Sequence, residues 1–155
     1  MIRNEKEYKE AIRRSQQNEA VIKKQKEELK KNNLSEKEIK RALDPMLSFH
    51  QQLVEEIEWY ENVKRQQFEK ILNLNEIGRL LIALRIASNL SQNDLAKCLG
   101  VPESQVSRDE RNEYHGISLE RSQKILEVFG ANFKAEVKID RPLARKEILA
   151  AMASK

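Results

Sequence analysis

One cysteine, two histidines, three prolines and four glycines are spread over 155 residues, and each scarcity removes a class of protein. The lone thiol, Cys98, cannot build a disulfide framework within the chain. His50 and His115 are too few for a multi-histidine metal site. No Gly-rich run is present to cradle a phosphate. Adjacent carboxylates such as Glu55-Glu56 and Asp109-Glu110 fall in helical sequence, where solvation or ion pairing is the ordinary fate of such groups. No catalytic residue, metal ligand or cofactor is therefore assigned, and a non-enzymatic protein is expected. No apolar run approaches the ~20 residues of a membrane span. The start, Met1-Ile2-Arg3-Asn4-Glu5-Lys6-Glu7, lacks the pattern of a signal peptide. A cytoplasmic protein without membrane contact is expected.

What the chain does have is charge and helix formers. Charged residues make up 35% and the formal net charge is +4. By region, residues 1–44 carry 13 Lys and Arg against 9 Asp and Glu, residues 45–73 carry 3 against 5, and residues 74–155 carry 13 against 11. No region is a polycation, so any nucleic-acid binding must come from oriented contacts rather than bulk charge.

From Glu5 to Asn32 the chain is dense in Glu, Lys, Arg and Gln, which predicts a long helix with a sparse apolar stripe of Tyr8, Ile12, Ile22 and Leu29. Such a helix needs a partner to stay folded. Ser35 and Glu38 form a capping box that starts a short helix holding Ile39 and Leu43. Asp44-Pro45 is then expected to restart the chain as N-cap and first helical residue. Met46, Phe49, Leu53, Ile57, Tyr60 and Val63 step by three or four in a coiled-coil-like seam, widened by Val54 and Trp59. Residues 1–72 thus read as a helical hairpin. Three uses stay open for it: packing on itself, dimerisation, or binding a different protein. Gln66–Leu74, with Phe68, Ile71 and Leu72, is expected to prolong the helix or dock on the core, and Asn75 to cap the next helix. No flexible linker separates the hairpin from the rest of the chain.

Between Gly78 and Gly130 apolar residues recur in short helical bursts: Leu80, Leu81 and Leu84; Leu95 and Leu99; Val106; Leu119, Ile125, Leu126 and Phe129. Ser91 and Asp94 make a second capping box. Gly100 closes that helix and Pro102 sits at the opening of the next, Glu103 to Arg111. Ala96 is small where the two helices cross, with Val101 and Val106 filling the space beneath the turn. Cys98 is expected to face this core.

Leu90-Ser91-Gln92, Leu95-Ala96, Leu99-Gly100-Val101, Val106-Ser107-Arg108, Glu110 and Ile117-Ser118-Leu119 carry a resemblance. The segment resembles the helix-turn-helix DNA-binding domains of phage repressor and Cro type, the XRE regulators. The resemblance implies that residues 73–131 bind double-stranded DNA, with Glu103 to Asn112 as the recognition helix in the major groove. Glu103, Ser104, Gln105, Ser107 and Arg108 are then the candidates to face DNA. Arg108 has the donors for guanine, Gln105 the amide for adenine, Ser104 suits base or phosphate, and Glu103 either accepts from cytosine or repels phosphate. Gln92 and the loop residues Arg111, Asn112, Tyr114 and His115 are expected at phosphates. Arg85 and Glu110 match positions that form an ion pair in that family. Asp109 stands where that family usually places an apolar or aromatic residue, which implies either a tilted helix or pairing of the acid with Arg111 or Lys124.

After Gly130 the period changes to two: Phe133, Ala135, Val137 and Ile139 alternate with polar residues, which predicts a strand. Pro142 then opens a final helix. Residues 132–155 are expected to pair with a second copy, with Met1–Arg3 as the intramolecular alternative. The expected fold is mainly α: a five-helix lambda-repressor-like domain with an N-terminal helical hairpin and one C-terminal strand. The expected function is a dimeric sequence-specific regulator, in all expectation a repressor acting on a pseudo-palindromic operator. Two alternatives stand beside it. One is an antitoxin of the HigA type, which the chain also resembles and which would hold a ribonuclease toxin as partner. The other is a helical interaction protein with a relic motif.

Overall fold

The computed structural model describes residues 1–68 and 73–134, and these are mainly helical. The order is α1 (Glu5–Lys31), α2 (Glu36–Lys64), a 3-10 turn (Leu74–Glu76), α3 (Ile77–Ala87), α4 (Gln92–Leu99), α5 (Glu103–Arg111) and α6 (Leu119–Val128). No strand occurs among the described residues. Phe133 and Lys134 lie in irregular backbone. The rest of the expected strand and the helix after Pro142 lie outside the described residues.

Each long helix is defined at its ends. The Asn4 side chain accepts from the Glu7 N–H at 2.9 Å. Acids occupy the first turn of α1 and lysines its last, which suits the helix dipole. Ser35 and Glu38 cap α2 reciprocally. Contrary to the expected restart at Asp44-Pro45, α2 runs through Pro45 unbroken. Proline removes one backbone donor, but Arg41 and Pro45 both lie on the exposed side, where water can serve the freed Arg41 carbonyl. Ile39 and Leu43 before it and Ile57, Tyr60 and Val63 after it are buried, with Met46 and Leu53 half-buried between them.

The lower part of that stripe is used within the chain. Tyr8 stacks on Tyr60 with ring centroids 4.9 Å apart, and its hydroxyl donates to Glu61 at 2.7 Å. The Arg79 guanidinium of α3 lies 5.0 Å from the Trp59 ring centroid. Phe49, expected in the seam, is instead 67% exposed. The helix does not continue past Lys64: Arg65 caps it and Gln66 turns left-handed with φ 59°. Phe68 and Leu74 are exposed, while Ile71 and Leu72, the rest of the stretch expected to prolong the helix or dock, lie outside the described residues. Asn73, not Asn75, caps the 3-10 turn, accepting from the Asn75 N–H at 2.9 Å.

One hydrophobic cluster spans hairpin and C-terminal helices, joining Ile2, Ile57, Tyr60 and Val63 to Leu81, Ile82, Leu95, Val106 and Ile125. Ala96 is buried where α4 meets α5, but Cys98 is exposed. The inward face of α4 is centred on Leu95, Leu99 and Ala96, and at about 3.6 residues per turn Cys98 falls roughly 100° to one side of that centre. Leu119, counted among the apolar repeats, is 72% exposed at the start of α6.

Candidate nucleic-acid interface

The interface is built on α4 and α5, and local chemistry sets both. The Ser91 hydroxyl accepts from the Asp94 N–H at 3.1 Å while the Asp94 carboxylate accepts from the Ser91 N–H at 3.0 Å. The same carboxylate takes the Ser91 hydroxyl at 2.6 Å, and this bond chiefly holds the Asp94 carboxyl below its ordinary pKa. Gly100 ends α4 with φ 66°. A Cβ there would meet nothing within 4 Å, so backbone angle rather than space demands glycine. Pro102 precedes α5 in extended conformation.

Two residues of α5 point inward. Val106 is 0% exposed and Glu110 is 1% exposed. Glu110 receives a bidentate ion pair from Arg85 of α3, with Nε to Oε1 at 2.5 Å and Nη2 to Oε2 at 2.7 Å. The guanidinium also donates to the Leu90 carbonyl at 2.8 Å and to the Arg3 carbonyl at 2.9 Å. One buried group therefore ties together α3, α5, the α3–α4 turn and the segment before α1. Glu110 is the neutralising charge for that guanidinium, and the carbonyls take two of its three remaining donors.

Gln92, expected free for phosphate, instead donates its amide to Glu110 Oε2 at 2.7 Å. Gln105, expected free for adenine, faces Arg121. With its carbonyl oxygen turned that way it accepts from both terminal guanidinium nitrogens, at 2.9 and 2.5 Å. Asp109 pairs with the same Arg121 at 2.5 Å rather than with Arg111 or Lys124. The reason is geometric: Gln105 and Asp109 are four apart on α5, so both project toward the start of α6, where Arg121 stands three residues after the Ser118 cap.

Tyr114 is the clearest correction. Expected at the phosphates, it is 4% exposed. Glu113 and Tyr114 both have left-handed backbone, φ 49° and 53°, and this double turn sends the ring inward. The ring lies beneath α3, where a Cβ on Gly78 would sit 1.8 Å from the Glu113 carbonyl oxygen and 3.1 Å from the Tyr114 Cβ. Gly78 is thus the residue that admits the loop. The phenol oxygen is buried without a hydrogen-bond partner among the described residues, and burial raises its pKa.

What stays outward is a compact set. Glu103, Ser104 and Arg108 on α5, with Arg111, Asn112 and His115 just beyond it, are exposed, and Ser107 is half-buried. A recess of about 400 Å³ adjoins them, bounded by Arg3, Lys64, Asn89, Ser91, Gln92 and Glu103. Lys64 of the hairpin donates to the Asn89 side chain at its edge. Arg121 and Lys64 had no part in the expected site. The i, i+4 spacing of Gln105 and Asp109 was a usable signal for the first; Lys64 had none, because its position depends on how the hairpin docks.

This geometry, a capped short helix, a glycine turn and a second helix with one face locked and the other open, matches a known family. Residues 81–134 match HTH_3, the helix-turn-helix family model. This helix-turn-helix segment covers about a third of the chain, and α1 and α2 lie outside it. No curated protein and no solved structure matches the chain. The helix-turn-helix match carries DNA binding and transcription regulation. No helix among the described residues is long and apolar enough to cross a membrane, and no group of three or more His, Cys, Asp or Glu among them could hold a metal ion.

Proposed function

We propose that the chain is a sequence-specific regulator that acts as a dimer and represses by occupying a pseudo-palindromic operator. The observation that carries this is the division of α5: Val106 and Glu110 are locked inward while Ser104 and Arg108 are free on the opposite side. Arg108 donates two hydrogen bonds to guanine O6 and N7, and Ser104 contacts a base or phosphate. Ser107 sits at the groove floor, and Glu103 accepts from cytosine. Arg111, Asn112 and His115 contact the phosphate backbone beyond the helix, with the α4 N-terminus on the near side, and Gln92 joins them only by releasing Glu110. Gln105 reads a base only by releasing Arg121. Two copies would meet half-sites about 34 Å apart, and avidity would offset the near-neutral charge of this region.

The test is to select bound sequences from random duplexes, then measure Arg108→Ala on the selected site at fixed salt. The expected loss is about 1–3 kcal/mol, or roughly fivefold to 150-fold in affinity, with relaxed preference at one base pair of each half-site. Unchanged affinity and preference would remove base readout from α5.

A further inference from the structure

A second surface lies on the far part of the hairpin, in residues the helix-turn-helix match does not include. There α1 and α2 enclose an open groove of about 510 Å³. Its floor is apolar, made by Ile22 of α1 and by Ile39, Leu43 and Leu47 of α2. Its rim is cationic: Lys26 and Lys30 on one side, Lys37 and Lys40 on the other, with Glu36 as the single acid. None of these four lysines forms an ion pair among the described residues, whereas Arg13 and Arg14 nearer the base both hold Glu10. Leu47 is 41% exposed in the groove, and Val21 beside Ile22 is 52% exposed.

We infer that this groove docks an acidic amphipathic helix of another protein. An apolar floor flanked by unpaired ammonium groups fits a helix with an apolar stripe at i, i+3, i+4 and i+7 and carboxylates on either side. Charge complementarity selects the sign of the partner, because like charges facing each other across such a rim repel and suppress binding. A second copy of this chain is a poor occupant. Its most acidic stretch is Glu55–Glu61, where Glu61 serves Tyr8 and Glu56 holds the Met1 amino group. Residues 135–155, the remaining amphipathic stretch, carry five Lys and Arg against three Asp and Glu. The groove lies away from α5, so this proposal stands whether or not α5 reads DNA.

The test uses the full chain and two synthetic helical peptides of roughly 14 residues, about four turns, with the same leucine stripe. One is flanked by glutamates and the other by lysines, and binding is followed by fluorescence anisotropy. The glutamate peptide should bind the wild type at least about tenfold tighter than the lysine peptide. Lys26→Glu with Lys40→Glu should abolish or invert that preference while leaving the circular dichroism melt in place. Equal binding of the two peptides, tighter binding of the lysine peptide, or an unaltered preference in the double variant would overturn the proposal. So would sedimentation showing a wild-type dimer that the double variant dissociates, since a second copy would then fill the groove.

Discussion

Helices α1 and α3 meet within one cluster, yet they are stabilised by different means. Of the 27 residues of α1 only Ala11 is buried, whereas eight of the 11 in α3 are. The first is held by helix propensity, end charges and a few half-buried contacts to α2 such as Tyr8 on Tyr60, with surface pairs such as Glu10 with Arg13 and Arg14 adding little. The second is held by packing and by the enclosed Arg85–Glu110 pair. Surface pairs are screened by water and salt and contribute little. An enclosed pair is different: removing one partner strands a charge out of water. The helix-turn-helix segment should therefore fail abruptly when a single group is altered, and the hairpin tip should tolerate almost anything.

The sharpest way to break that contrast is Arg85→Met, expected to cost about 3–5 kcal/mol in a urea unfolding midpoint, with Arg13→Met leaving the midpoint in place. Equal effects would end the comparison. Next is Gly78→Ala, where the new methyl would meet the Glu113 carbonyl and force the loop away from α3, at about 3 kcal/mol. Ala96→Leu overfills the α4–α5 crossing and should lower the thermal midpoint by an amount equivalent to about 1–3 kcal/mol.

Alkaline pH probes both regions more gently. Burial, with Glu5 nearby, pushes the Tyr60 phenol up to about 12, and Tyr8 and Tyr114 are raised as well. A phenol that holds its proton more tightly when folded contributes stability that is complete below pH 10. That stability is lost as pH rises through the folded value near 12. The hairpin base should loosen in that interval, read by tyrosine absorbance and circular dichroism together; phenolate appearing at the ordinary pH would contradict it. The smallest effect is Tyr114→Phe. Deleting a buried hydroxyl that bonds to nothing among the described residues should change stability by less than about 1 kcal/mol, with either sign, and leave DNA affinity unaltered. A clear loss of affinity would return Tyr114 to the phosphates.

The same division explains what could be read from residues alone. Signals that act within one helical turn were legible: the Ser35–Glu38 and Ser91–Asp94 boxes, Gly100 as a left-handed stop and the span of α5 all depend on neighbours a few residues away. The errors arose where distant groups decide. Pro45 is a helix breaker by local rule, and only the apolar stripe on both sides, packed on α1, overrides it. Tyr114 sits in a polar loop and looked available until Gly78, 36 positions earlier, made room for it. Gln92 and Gln105 had suitable chemistry for DNA, but each finds a nearer partner within the protein, Glu110 and Arg121.

The bond from Arg85 to the Arg3 carbonyl has a mechanical meaning. Because that guanidinium also grips Glu110, α5 cannot swivel against α3 without pulling on the segment that leads into the hairpin. If α5 reads DNA as proposed, an anchor this stiff leaves conformational adjustment to the nucleic acid. Base steps that kink or twist easily should accordingly favour complex formation even where no side chain touches them.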